Sequence, residues 1–379
     1  MAVYHENTVN HEIHEKKCII MNSKLLIKSP IKHGQLSLAQ KAGQRLMVGF
    51  DGKAFNADLK YLIIELKVGG IILFSRNMGT PDDIRRLCRD VQDCAVSAGQ
   101  PSLLIAIDQE GGEVARLKAP FFSEFPGNPA MKTRDDAFHF ARVTASELHA
   151  IGVNMNYAPV LDVTRPDIPG IMAGRSFGSD PHQVAALGTA VIQTLEENSI
   201  LSVAKHFPGI GRTVLDSHLD LPTVKEDFDT LDACDLIPFQ AAIQNRVSGV
   251  MLSHILYEKL DPLWPASLSV CIARDLLRIR MQYTGLVMTD DLDMGAITRH
   301  YALNTAVNQA MLSEIDQILI CHKSPAIESA FEQIQKRIRD ERYLEVLCNQ
   351  SVERILAAKC RIKQQVAAKT LGETDIWNL

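Results

Sequence analysis

Chemically capable side chains are concentrated in one short stretch in the middle of the chain. Lys205 and His206 follow the apolar run 200–204, and a loop rich in Gly and Pro then carries Asp216 and His218, two residues apart. Burying Lys or His without a partner costs free energy, so a buried strand seldom ends in these residues for packing alone. A histidine titrates near neutral pH and can donate or accept a proton. The stretch therefore predicts acid–base chemistry at a strand end.

Carboxylates, arginines and a histidine also follow other apolar runs of the chain. These residues are Asp108, Glu110, Arg116, Asp162, Arg175, His254, Asp290, Asp291 and Asp293. Each has an ordinary structural alternative, as a turn cap or a loop salt bridge, and that alternative is favoured for Glu110, Asp162 and His254. Five such clusters, each just after a predicted strand and therefore at the same end of the strands, are hard to explain as solvated loop ends.

The two adjacent carboxylates Asp290 and Asp291 need to be distinguished. Side chains of a strand alternate between its faces, so Asp290 shares a face with Met288, and Asp291 shares the other with Thr289. Only one of the two carboxylates can face the mouth of a barrel. The alternation alone does not decide which one.

The elements that must position these residues form a regular series. Eight apolar runs rich in strand-forming residues are separated by helical patterns: 45–50, 70–74, 102–107, 153–160, 200–204, 249–253, 285–289 and 317–321. Continuous hydrophobicity is typical of parallel strands that are buried on both faces. Thr80-Pro81 and Asp180-Pro181 are helix-start signals. The alternation predicts an α/β fold, a (β/α)8 TIM-type barrel. A doubly wound sheet is the alternative, disfavoured because no GxGxxG turn follows the first strand.

Length and composition fit one soluble domain. The chain has 379 residues, 46% hydrophobic and 22% charged, with a formal net charge of −5. No long run of one charge sign favours nucleic acid as a partner, and no segment approaches the roughly 18 to 20 apolar residues of a membrane span. Eight scattered cysteines without a CxxC pair predict reduced thiols. We expect a poorly ordered extension over 1–34, one catalytic domain over 35–368 that ends in a helix around 344–363, and a tail over 369–379.

Several motifs in combination resemble family 3 of the glycoside hydrolases, specifically its compact single-domain bacterial β-N-acetylhexosaminidases. The motifs are Asp-Gln-Glu-Gly-Gly at 108–112, Gly-Arg-Ser-Phe-Gly at 174–178, Lys-His-Phe-Pro-Gly at 205–209, Asp-Ser-His at 216–218, Pro-Ala-Ser-Leu-Ser at 265–269 and Thr-Asp-Asp-Leu at 289–292. The resemblance covers about residues 40 to 345. Two positions depart from the pattern that the family leads us to expect: Glu113 replaces an Arg, and Ile210 replaces a second His.

The resemblance implies a role for each matching residue. Asp290 would be the nucleophile, His218 the general acid/base and Asp216 its dyad partner. The sugar would be held by Asp108, Arg116, Arg175, Lys205 and His206. Glycoside cleavage needs a proton for the leaving group and a carboxylate that stabilises an oxocarbenium-like transition state, and this set supplies both. No metal and no other cofactor is implied.

The same resemblance implies a substrate and a setting. The enzyme would be a retaining exo-β-N-acetylglucosaminidase (EC 3.2.1.52). It would act as a cytoplasmic monomer on N-acetylglucosaminyl-anhydromuramyl fragments during cell-wall recycling. A β-glucosidase or a glycoside phosphorylase on the same scaffold is the near alternative. A metal-dependent barrel hydrolase and a non-catalytic sugar-binding protein are remote ones, because the chain has no HExxH motif and retains both Asp290 and His218.

Overall fold

The computed structural model describes residues 33–167, 170–217 and 219–375, with side chains described continuously up to residue 362 of the last helix. Almost all of the predicted N-terminal extension lies in residues 1–32, outside the described part of the chain. His218 also lies outside it. The described part begins with a single helical turn, His33–Gln35, and ends in a long helix, Arg342–Asp375. That helix continues past the end at 363 that the sequence pattern predicts.

Eight parallel strands of the described chain close into a barrel, as the sequence predicts. The barrel strands are β1 Leu46–Val48, β2 Gly70–Leu73, β3 Leu104–Ile107, β4 Met155–Asn156, β5 Leu201–Phe207, β7 Gly249–Leu252, β9 Leu286–Asp291 and β10 Gln317–Ile320. β1 pairs with both β2 and β10, which closes the ring. Two further strands, β6 Thr223–Val224 and β8 Leu256–Tyr257, pair with each other beside the barrel.

Helices surround the barrel. They are Leu38–Gln44, Ala57–Ile64, Pro81–Ser97, Arg134–Ala150, Pro181–Glu197, Phe228–Asp232, Leu236–Gln244, Cys271–Arg280, Gly295–Thr298, Leu303–Leu312, Ala326–Asp340 and Arg342–Asp375. The start signals act as expected: the hydroxyl of Thr80 accepts the backbone N–H of Asp83, and the carboxylate of Asp180 accepts that of His182. Capping satisfies backbone donors that the first turn of a helix leaves free.

The alternation of side chains divides the core into two parts. One face of each strand packs outwards against the helices, as Val287 of β9 does. The other face fills the barrel interior, where Ala106, Val203 and Met288 lie. The next inward position beyond each of these three is a charged residue, so the barrel filling gives way to polar groups at the carboxyl ends of the strands.

Candidate active site

Asp290, and not Asp291, faces the barrel mouth. β9 continues to Asp291, and Asp290 follows the interior residues Leu286 and Met288. Burial by itself would raise the pKa of Asp290, but His254, His206 and the backbone N–H of Asp291 outweigh it and lower that pKa. The carboxylate of Asp291 turns away and accepts the backbone N–H of Asp293 at 3.1 Å. The structure thus resolves the alternative that the strand pattern left open.

A buried network of opposite charges joins the ends of β3 and β5. The Nζ of Lys205 lies 2.6 Å from Oδ1 of Asp108 and 2.6 Å from Oε1 of Glu110. Arg175 binds Glu110 with two donors, Nε at 2.9 Å and Nη2 at 2.7 Å. Charged groups are tolerated in an interior when they are paired in this way. Lys205 lies in β5, two residues before its end, so the strand extends three residues beyond the predicted run 200–204.

The network keeps its carboxylates ionised. Burial alone would raise the pKa of Asp108, but the charges of Lys205 and Arg116 outweigh it and lower that pKa to about 2. The pKa of Glu110 is also lowered, because Lys205 and Arg175 outweigh its burial. Both carboxylates therefore accept hydrogen bonds at any physiological pH.

Arg116 reaches the network from the loop after β3. Its Nη2 lies 3.3 Å from Oδ2 of Asp108, and its guanidinium lies 5.5 Å from the centre of the Phe74 ring. The side-chain oxygen of Gln109 accepts the backbone N–H of Arg116 at 2.8 Å, which fixes the loop. The guanidinium can present further donors to a ligand while it remains paired with Asp108.

His206 is oriented by a carboxylate that has no exposed surface. Nδ1 of His206 lies 2.8 Å from Oδ2 of Asp162, and Oδ1 of Asp162 accepts the backbone N–H of Ile210 at 2.8 Å. The carboxylate accepts from Nδ1, so the ring orientation is fixed and Nε2 remains for another partner. Position 210 contributes its backbone N–H to this carboxylate, a contact that does not depend on its side chain.

His254 follows the end of β7 and lies beside β9, the strand that carries Asp290. Its Nδ1 is 2.6 Å from Oγ of Ser267, and its Nε2 is 2.8 Å from the backbone carbonyl oxygen of Asp291. Both ring nitrogens therefore have partners, and the imidazole connects the motif at 265–269 to β9. The position next to Asp290 accounts for the influence of His254 on the pKa of that carboxyl.

The segment in which the sequence predicts the general acid/base leads out from the Gly-rich loop after β5; its described residues, 213–217 and 219–220, are here called the acid–base segment. The backbone carbonyl oxygen of Asp216 accepts the N–H of Leu219 at 2.9 Å and that of Asp220 at 3.3 Å. These bonds hold Leu219 and Asp220 close to the backbone of Asp216. His218 itself lies outside the described residues, so its predicted role and its pairing with Asp216 stay predictions.

Three residues of this site were underrated from the sequence. Glu110, Asp162 and His254 each follow a strand, but each also fits an ordinary capping or pairing role, and their partners are remote in the chain. The available signal was their place on the same rim as Asp108 and Asp290.

Glu113 lies at the rim as well, beside Gly174, where a Cβ atom would come within 2.5 Å of the Glu113 carboxylate.

The described residues contain one group of three side chains that could hold a metal ion, Asp291, Asp293 and His322. His322 is largely exposed, and its Nδ1 lies 3.7 Å from Asp291 and 3.5 Å from Asp293. In the part of the chain that the structure covers, no helix has the length and apolar character that crossing a membrane requires.

Comparison with known proteins identifies the family. The model of the glycosyl hydrolase family 3 N terminal domain matches residues 37–358. The beta-hexosaminidase of Alkalilimnicola ehrlichii is 34% identical over 297 residues, which cover 76% of this chain and 84% of that protein. The beta-hexosaminidase of Methylococcus capsulatus is 33% identical over 310 residues, 79% and 90% of the two chains.

Solved structures agree with this result. A family 3 beta-N-acetylglucosaminidase from Paenibacillus sp. str. FPU-7 has a TM-score of 0.83 and 38% identity; the match covers 86% of this chain but only 63% of that one. A beta-N-acetylhexosaminidase from Beutenbergia cavernae has a TM-score of 0.77 and 28% identity, with 86% and 98% covered. These matches identify the protein as a glycoside hydrolase, and the charged network lies at the end of the barrel where enzymes of this fold carry their active sites. This chain belongs to glycosyl hydrolase family 3.

Proposed function

We propose that this glycoside hydrolase is a retaining exo-enzyme that releases terminal β-linked N-acetylglucosamine through a covalent intermediate on Asp290. The observation that carries the proposal is the carboxylate of Asp290 itself, half-buried at the barrel mouth with its pKa lowered by His254 and His206. A nucleophilic carboxylate must be ionised and must face the bound sugar. The names of the relatives support the acetamido sugar as the substrate.

The proposed reaction has two steps. First, a carboxylate oxygen of Asp290 forms a bond to the anomeric carbon while the glycosidic bond breaks, and His218 gives its proton to the departing oxygen. Then His218 removes a proton from a water molecule, whose oxygen attacks the anomeric carbon and releases Asp290. Asp216 would orient the imidazole of His218 and favour its protonated form.

The charged network would bind the sugar. Asp108 stays ionised because of Lys205 and Arg116, so it can accept hydrogen bonds from sugar hydroxyls. Arg116, Arg175 and Lys205 would supply charge-assisted donors to hydroxyl and carbonyl oxygens. His206 would present Nε2, since Nδ1 is held by Asp162. No metal ion has a part in this scheme.

We further propose that the natural substrates are peptidoglycan fragments, N-acetylglucosaminyl-anhydromuramyl peptides, and that the enzyme works on them as a cytoplasmic monomer. The support is the motif resemblance to compact bacterial β-N-acetylhexosaminidases.

The test compares hydrolysis of 4-nitrophenyl N-acetyl-β-glucosaminide with that of the matching β-glucoside, with and without phosphate. We expect turnover of the acetamido sugar by the wild type and a loss of at least about a thousandfold in Asp290→Ala. Asp291→Asn is the matched control: it removes the neighbouring charge, and we expect turnover to stay within about tenfold of wild type.

Other results would redirect the proposal. Turnover of the glucoside alone would indicate a β-glucosidase, and acceleration by phosphate with release of sugar 1-phosphate would indicate a phosphorylase. Equal activity of Asp290→Ala and wild type would refute the nucleophile. No turnover of either sugar by the wild type would favour a non-catalytic sugar-binding protein.

A further inference from the structure

A short segment that follows the nucleophile strand contacts the acid–base segment. The chain leaves β9 at Asp291 and forms the helical turn Gly295–Thr298, which is followed by His300. This turn is tied back to the strand, because the backbone N–H of Met294 donates to the carbonyl oxygen of Asp291 at 3.1 Å. The residues from Gly295 to Tyr301 therefore have a fixed relation to β9.

Among the described residues, two contacts join this segment to the acid–base segment, one before and one after position 218 in the chain. The backbone N–H of Ala296 donates to the carbonyl oxygen of Ser217 at 3.0 Å, and Ser217 is buried. Nε2 of His300 lies 2.5 Å from Oδ1 of Asp220. Residues immediately before and shortly after position 218 are thus both bound to one rigid neighbour.

His300 is itself held in place. Its backbone N–H and that of Tyr301 donate to the carbonyl oxygen of Ile297, at 3.1 Å and 2.9 Å. The ring of Tyr301 stacks on Trp264 with 5.3 Å between centroids, and its hydroxyl donates to the carbonyl oxygen of Leu263 at 3.3 Å. The segment is fixed by the loop after β8 as well as by β9, so His300 offers Asp220 a stationary partner.

The contact between His300 and Asp220 is better suited to positioning the proposed catalytic side chain at position 218 than to stabilising the whole fold. His300 and Asp220 are 40% and 50% exposed, and ion pairs at such positions contribute little to folding. Proton transfer is far more sensitive to position, because the acid must lie within hydrogen-bond reach of the leaving oxygen. A displacement of about 1 Å can lower a rate by up to about a hundredfold.

We infer that His300 is a positioning residue for the acid/base step: through Asp220 it sets the distance between the acid–base segment and the strand that carries Asp290. The inference rests on the proposed role of His218. Its expected signature is dependence on the leaving group. Loss of acid assistance matters for a poor leaving group such as a sugar hydroxyl, and much less for a nitrophenolate that leaves without a proton.

The experiment measures kcat/KM for two substrates, N,N′-diacetylchitobiose and 4-nitrophenyl N-acetyl-β-glucosaminide. The variants are His300→Ala, Asp220→Ala, the double variant and His300→Gln, whose amide can still donate to the carboxylate. His218→Ala sets the full size of the effect. His33→Ala is the matched control, because His33 pairs with Glu353 at 2.8 Å with similar exposure but on the helical elements at the chain ends.

We expect His300→Ala to lose about fivefold to twentyfold on chitobiose and less than about twofold on the nitrophenyl substrate. Asp220→Ala and the double variant should show the same loss as His300→Ala, because all three break one contact. His300→Gln should recover most of the activity, and His33→Ala should match wild type. The midpoint of thermal unfolding should stay within about 3 °C of wild type for each variant.

Equal losses on both substrates, additive losses in the double variant, or the same loss in His33→Ala would overturn the inference. Failure of the proposed function gives a different result. In that case His218→Ala itself would show no dependence on the leaving group, or the wild type would turn over neither substrate.

Discussion

Asp290 and Asp291 are adjacent in the chain, yet their carboxylates lie in opposite electrostatic surroundings. The pKa of Asp290 is lowered because His254 and His206 outweigh its burial. The pKa of Asp291 is raised to about 6, because burial dominates and the charges of Asp293 and Asp290 add to it. A one-residue step along a strand reverses the face, and here it separates a carboxylate suited to attack from one that gains a proton readily.

The raised pKa of Asp291 predicts how stability depends on pH. The folded protein binds this proton more tightly than the unfolded chain, whose pKa is near 3.8. The contribution of Asp291 to stability is therefore full below about pH 4 and is lost as pH rises through about 6. As the pH is raised from 4.5 to 7, wild type should lose on the order of 2 kcal/mol of free energy of unfolding relative to Asp291→Asn. Urea unfolding of both proteins at both pH values checks this. The same change in free energy of unfolding for the two proteins would contradict it.

Among the elements, the barrel strands were predictable and their ends were not. All eight apolar runs contain a strand, because strands buried on both faces need continuous hydrophobicity. The strand ends depend on pairing with neighbouring strands. β5 extends to Phe207 because it pairs there with β7, and β9 extends to Asp291 because it pairs there with β10. The two-residue strands β6 and β8 were missed because, unlike β4, neither falls in an apolar run of four or more residues.

The partners within the site were also beyond sequence reasoning. Glu110 and Arg175 are 65 residues apart in the chain, and Asp162 and His206 are 44 apart. Each pair joins different βα units, so no local spacing indicates it. The sequence could indicate that polar groups meet on one rim, because parallel strands present their carboxyl ends together. Which carboxylate pairs with which cation depends on the closed barrel.

Gly211 shows how one small residue positions the loop after β5. A Cβ atom at this glycine would lie 1.9 Å from the backbone carbonyl oxygen of Val163, so Gly211→Ala must push the two loops apart. We expect a loss of about 2 to 4 kcal/mol in free energy of unfolding and a fall in kcat, because the loop leads to Asp216. Gly34→Ala, where no atom lies within 4 Å, is the control and should be near neutral. Unchanged stability in Gly211→Ala, measured by urea unfolding, would contradict this account.

On the scale of the whole molecule, one end of the barrel carries the candidate site and the other end contributes to stability. The carboxyl ends of the strands carry the site, and the last helix closes the opposite end with Ile355 and Ala358, which pack against the barrel interior. Nζ of Lys359 in this helix lies 2.6 Å from the side-chain oxygen of Gln44, at the end of the first α-helix of the described chain. Changes at this end should affect stability and leave the chemistry alone.

Ile355→Ala tests this separation. Ile355 is fully buried, and its truncation leaves a cavity beneath the barrel filling, so we expect a loss of about 3 kcal/mol in free energy of unfolding. KM and kcat for 4-nitrophenyl N-acetyl-β-glucosaminide, measured well below the unfolding temperature, should stay within about twofold of wild type. Val346→Ala, on the same helix and 40% exposed, is the matched control and should change neither quantity. A large change in KM with Ile355→Ala would mean that packing at the closed end reaches the charged network, since the interior side chains between them form a continuous column from the helix to the mouth.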